Sequence, residues 1–180
     1  IGNTAVGHSA SLANVSGQAN TSVGYKTLYN NTGSANTGLG WAALHNNTAD
    51  LNTAVGYAAL YTHTTGSFCT AIGYEALSLS NTNTDNTAVG YQALKNSVVG
   101  VGSQHGGKSA AVGTGALAGS TTGGQNIAVG YLAGYVVAAG NNNVALGYAA
   151  LYAGYGSGNT CVGSQAGLSL TSGSANVLLS

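Results

Sequence analysis

The chain has 180 residues with three lysines, no arginine and three carboxylates, so charged residues make up 3% of it, against about 25% in an ordinary soluble domain. A formal net charge of zero leaves no basic surplus for phosphates, which argues against a nucleic-acid partner. No apolar run approaches the ~18 residues of a membrane-spanning helix, and 30 glycines without a proline exclude a collagen-like or Pro-rich tract. A surface so poor in charge is expected to be hidden against copies of itself or within a fibre.

The first predicted element is Asn3-Thr4-Ala5-Val6-Gly7, a short piece alternating at period two that ends on a glycine. It returns along the chain with its glycine at Gly24, Gly40, Gly56, Gly73, Gly90, Gly113, Gly130, Gly147 and Gly163, and Asn176 opens an eleventh, truncated unit. Every step is 16 or 17 residues except the one from Gly90 to Gly113, which is 23. A fixed period with one exception is the signature of a solenoid or array, and the nine-residue stretches "NTAVGYAAL" and "NTAVGYQAL" are its building unit.

Each unit reads the same way from left to right. Asn stands four residues before the glycine, replaced only by Cys69 and Ser109, and stacked Asn side chains are expected to hydrogen-bond along the axis of a parallel stack. The residue before the glycine is always Val, Leu or Ile, a column expected to face a core. After the glycine comes a ring in most units (Tyr25, Trp41, Tyr57, Tyr74, Tyr91, Tyr131 and Tyr148), replaced by His8, Thr114 and Ser164. A small residue and usually a leucine follow, then a polar turn, which predicts two short strands per coil. Helix is excluded because Gly, Asn, Thr, Ser and Val dominate and the segments between breakers are too short.

The expected fold is therefore all-β: a parallel β-solenoid or β-roll of about ten coils of 16 or 17 residues, one array over residues 1–180, and roughly 48 Å long at strand spacing. A lone coil of this size encloses little volume. It would bury the Val/Leu column and leave a small-residue face (Ala5, Ala54, Ala71, Ala88, Ala128 and Ala145) uncovered, and a homotrimer wound about its long axis would bury three such faces together.

Motifs such as "NTAVGY", "TAIGYEAL" and "NTAVGYQAL" resemble the tandem repeats in shafts of bacteriophage tail-fibre and related surface-fibre proteins. More distantly, they are similar to the head repeats of trimeric autotransporter adhesins, in which three chains form a parallel β-roll around one axis. The resemblance covers essentially the whole chain, although its period is longer than the autotransporter one and a ring follows its glycine. It implies a structural and adhesive fibre segment on a virion or cell surface, extracellular, with a cell-surface glycan or receptor as its partner.

Chemistry-bearing residues are few. His8, His45, His63 and His105 lack zinc-ligand spacing, and His45 falls in a column held elsewhere by Tyr29, Tyr61 and Tyr152, where it reads as a stacking substitute. Cys69 and Cys161 lie five coils apart, about 24 Å along the axis, too far for a disulfide, and read as buried free thiols. Asp50, Glu75 and Asp85 are the only carboxylates, and nothing in their spacing signals the paired geometry of glycoside hydrolysis. "GVGSQHGG" and "GTGALAG" fail the spacing of a phosphate-binding glycine loop. No catalytic, cofactor or metal residue is expected.

The long step, Asn96 to Ser109, predicts a loop leaving the coil, with Gln104, His105 and Lys108 as candidate partner contacts. The regular Thr column from Thr4 to Thr87 suggests an ice- or glycan-binding face on a monomeric solenoid, and breaks at Ala110, Ile127 and Val144. A carbohydrate-processing tailspike fragment, with carboxylates from neighbouring chains converging in a groove, is the other alternative.

Overall fold

The structure, a computed structural model, describes residues 1–96, 107–137, 139–154 and 156–180. Eleven three-residue strands, from β1 (Thr4–Val6) to β11 (Val177–Leu179), form one parallel sheet whose order is the chain order. Repeat-equivalent residues pair: Thr53 lies opposite Thr70, and Val55 opposite Ile72. The 23-residue step does not interrupt the stack, because β6 (Thr87–Val89) pairs with β7 (Ala110–Val112), Thr87 opposite Ala110. The result is a β-solenoid of about ten coils, and no helix occurs among the described residues.

The two faces of the strand are the reverse of the sequence expectation. The mid-strand residues Ala54, Ala71, Ala88, Ala111 and Ala128 are fully buried, whereas Leu39, Ile72, Val112 and Val129 in the aliphatic column are 40–45% exposed. The reason is space. Inside the coil, the mid-strand residue meets the residue three places after the glycine, itself Ala in most units. Where Gly38 replaces the mid-strand Ala, Thr27 takes the room, and a methyl on Gly38 would stand 2.5 Å from the Thr27 Cγ2. Only small side chains fit there, so the strand turns its branched residues outward. Bulk enters the interior through the leucines four places after the glycine (Leu28, Leu44, Leu60, Leu77, Leu94, Leu117 and Leu151), all buried.

The second piece of each coil is a turn run, not the expected second strand. Its residues two and four places after the glycine are left-handed, as at Ala58 (φ 51°), Leu60 (φ 51°), Gln92 (φ 54°) and Leu94 (φ 50°). Coil-to-coil hydrogen bonding continues through it: the Ala58 N–H donates to Trp41 O at 2.8 Å and the Leu60 N–H to Ala76 O at 3.0 Å. The repeat glycines occupy a region closed to other residues, with φ of 131° at Gly56, and a methyl there would lie 2.5 Å from Gly73 O of the next coil.

The Asn column forms a ladder, mainly from side chain to main chain. Asn52 Oδ1 accepts the Cys69 N–H at 2.9 Å, and its Nδ2 donates to Gly66 O at 2.9 Å. The same pair of bonds is made by Asn36 to the Asn52 N–H and to Ala49 O. Direct side-chain bonding joins Asn176 to Asn159, Nδ2 to Oδ1, at 2.9 Å. Most of the described coils are thus tied to the next through buried polar groups that would be expensive to leave unpaired; the coil of Cys69 is an exception, and Asn86 Nδ2 above it is buried without a hydrogen bond among the described residues.

Candidate functional site

With Ala, Leu and Asn facing inward, three kinds of column face outward: the sheet face, the ring ladders and the polar turns. The sheet face combines the Thr column, three residues before each glycine, with the Val/Leu/Ile column beside it. Neither column holds a charged residue along all eleven strands. The Thr column is unbroken over the first six strands and becomes Ala110, Ile127 and Val144 over the next three.

Beyond the glycine corner, six rings stack without interruption from His8 through Tyr25, Trp41, Tyr57 and Tyr74 to Tyr91, with centroid separations of 4.6–5.8 Å. Tyr131 and Tyr148 resume the ladder at 5.5 Å after the coil that carries Thr114. A second ladder joins Tyr29, His45 and Tyr61, so His45 does act as a stacking substitute. Lys26 lies 5.4 Å and 5.6 Å from the Tyr25 and Tyr29 ring centroids and bridges the two ladders. Within a ladder the ring faces are occupied by neighbouring rings, leaving edges and hydroxyls for a partner.

The charged residues all stand off the sheet face. Asp50 belongs to a turn ladder in which a side-chain oxygen accepts the N–H of the coil before it: Ser34 donates to Asp50 Oδ1 at 2.7 Å, as Gln18 donates to Ser34 Oγ at 3.1 Å. Glu75 Oε2 takes Lys95 Nζ at 2.7 Å and Gln92 Nε2 at 2.8 Å. The Lys95 hydrogen bond outweighs partial desolvation and holds the Glu75 carboxyl below its ordinary value. A general acid needs the opposite shift. Asp85 is exposed in a different turn column, so the three carboxylates are not brought together within the chain. No group of three His, Cys, Asp or Glu side chains among the described residues is placed to hold a metal ion.

Of the loop candidates, Gln104 and His105 lie outside the described residues. Lys108 is exposed and follows Asp85 in the same turn column, in the register set by Thr87 opposite Ala110. Cys69 and Cys161 are buried free thiols; burial pushes Cys69 up to about 11 and raises Cys161 as well.

His63 is the residue sequence reasoning did not place. It occupies an inner column that holds Asn31 and Asn47 in the two preceding coils, and it is fully buried. Its Nδ1 lies 2.8 Å from Ser80 O and its Nε2 2.5 Å from Gly66 O. A neutral imidazole can donate to only one of these carbonyls. Burial dominates and lowers the His63 pKa, with the two carbonyl contacts pulling the other way. The available signal was its spacing of 16 residues from Asn47. No helix among the described residues is long and apolar enough to cross a membrane. Comparison with protein families, curated proteins and solved structures finds no match to this chain.

Proposed function

We propose that the chain is a segment of a homotrimeric fibre, extracellular and borne on a virion or cell surface, which extends a rod and presents an adhesive surface to a glycan or receptor. The observation that carries this reading is the outward sheet face: eleven parallel strands of Thr and branched aliphatic residues without one charge. A flat strand face of that kind, left to solvent, is an association surface unless charges guard it. It is about 50 Å long and, at three residues per strand, about 10 Å wide, roughly 500 Å² on each chain. A threefold axis beside this face would cover it on all three chains and leave the ring ladders and turns outward.

The role is mechanical and no residue is catalytic. The ion-paired Glu75 and the ladder-bound Asp50 speak against a tailspike hydrolase, and the broken Thr column speaks against an ice-binding monomer.

Val55→Asp and Val89→Asp each place a carboxylate on the sheet face without touching the coil interior. Sedimentation should show wild type as three chains and each variant as a single chain, with an unchanged circular dichroism spectrum. Variants that keep the wild-type mass would overturn the assignment of this face.

A further inference from the structure

The first ring ladder is interrupted at one coil only between Tyr91 and Tyr131, and there the backbone stack is intact. β7 pairs with β6 on one side and with β8 (Ile127–Val129) on the other, both in register. The Gly115 N–H donates to Tyr91 O and the Leu132 N–H to Thr114 O, each at 2.9 Å. Tyr91 and Tyr131 are therefore two rungs apart, about 10 Å, with one ring of the ladder missing between them. Thr114, exposed, takes that position and is too short to fill it.

The ring exposures record the gap. Rings with neighbours on both sides, Tyr25, Trp41, Tyr57 and Tyr74, are 39–43% exposed, whereas Tyr91 and Tyr131 are each 49% exposed. Their stacking partners, Tyr74 and Tyr148, hold them in the ladder orientation at 5.3 Å and 5.5 Å, so the other face of each is turned to the slot, with no ring stacked on it among the described residues. On the same coil the neighbouring positions Gly115 and Ala118 are buried and carry no more than a methyl group. On the Tyr91 side, Gln92 and Lys95 are drawn to Glu75 of the Tyr74 coil, one coil further from the slot.

We infer that this slot is a binding site for a single pyranose ring, sandwiched between Tyr91 and Tyr131 over Thr114. A pyranose presents apolar C–H faces above and below and carries its hydroxyls around the edge. Two aromatic faces one ring-width apart match the former, and the Thr114 hydroxyl and the tyrosine hydroxyls match the latter. Elsewhere in the unbroken ladder the ring faces are taken, so a sugar can stack only where a rung is absent. The inference deepens the adhesive reading by naming the ligand class and rests on it for its biological sense, but the slot belongs to one chain and does not depend on the trimer.

The test uses the full chain, titrated with methyl β-D-glucopyranoside and methyl β-D-galactopyranoside and followed by tyrosine resonances, with p-cresol as the aromatic control. At least one glycoside should saturate and shift Tyr91 and Tyr131. Tyr131→Ala should weaken it about tenfold, the loss of one stacking face. Thr114→Tyr fills the slot with the chain's own ring and should abolish binding while keeping or raising thermal stability, which separates blocking from misfolding. Binding undiminished in Thr114→Tyr would overturn the site, as would p-cresol binding with neither glycoside doing so, or no saturable shift with any probe. A single-chain mass with intact glycoside binding would refute the fibre and leave the slot standing.

Discussion

Replacing Gly56 by alanine should destabilise the rod far more than one methyl group suggests. At φ 131° an alanine backbone is strained by about 1–3 kcal/mol. The new methyl would also lie 2.5 Å from Gly73 O and 2.8 Å from Gly73 C, both backbone atoms with no rotamer to move. Relief requires the two coils to part. That loosens the Gly73 N–H bond to Val55 O and strains the Gly56 N–H bond to Leu39 O, both 2.8 Å, at about 0.5–1.5 kcal/mol each. The sum is about 4 kcal/mol, or roughly 8–16 °C in melting temperature for a chain of this length. The control is Ala58→Gly two residues away, where φ is 51°. Relief of about 1–2 kcal/mol of left-handed strain there roughly offsets the extra backbone freedom of glycine in the unfolded chain. Melting curves by circular dichroism at one fixed concentration compare the two. A Gly56→Ala protein melting within 2 °C of wild type would refute the steric account of the glycine column.

Three further outcomes follow from the inner columns. Asn52→Ala leaves the Cys69 N–H buried without its partner and Gly66 O with the His63 contact alone, and should lower stability by about 1–3 kcal/mol in urea unfolding, whereas Asn52→Ser, the solution at Ser109, should recover part of the loss. His63 sits below its ordinary 6.5, so below that pH the unfolded chain takes up the proton more readily than the folded one. Stability is then whole above about 6.5 and falls as the pH drops through the folded value; His63→Asn should flatten this limb, and parallel profiles for variant and wild type would count against it. With burial holding Cys69 up at about 11 and raising Cys161, neither thiol should react with a disulfide reagent at pH 8 until denaturant is added, and rapid labelling of the native chain would contradict the interior assigned to them.

The period, the glycine corner and the parallel in-register stack were legible in the sequence because one unit repeats and the steps can be measured. The identity of the inner face was not. Val55 and Ala54 both alternate correctly, and greater apolar bulk pointed to Val55, whereas the narrow coil admits only the smaller side chain. A steric signal was present: the mid-strand column through Cys161 allows only Ala, Ser, Gly and Cys, while the column beside it accepts Val, Leu and Ile freely. The left-handed turn run was hidden because Lys26, Glu75 and Leu77 give no local hint of positive φ. Gly115, Gly134 and Gly167 at the equivalent positions were the readable trace. The gap at Thr114 was visible as a missing aromatic, but its meaning as a slot needed the stacked rings on either side.

The fibre proposal is tested most directly by the native mass of the chain in solution, measured by light scattering across a wide dilution series. A mass of three chains of 17.5 kDa, unchanged on dilution, is the expected result. A stable particle of 17.5 kDa at every concentration would contradict it, since the charge-free sheet face would then stand open to water on a protein that does not associate.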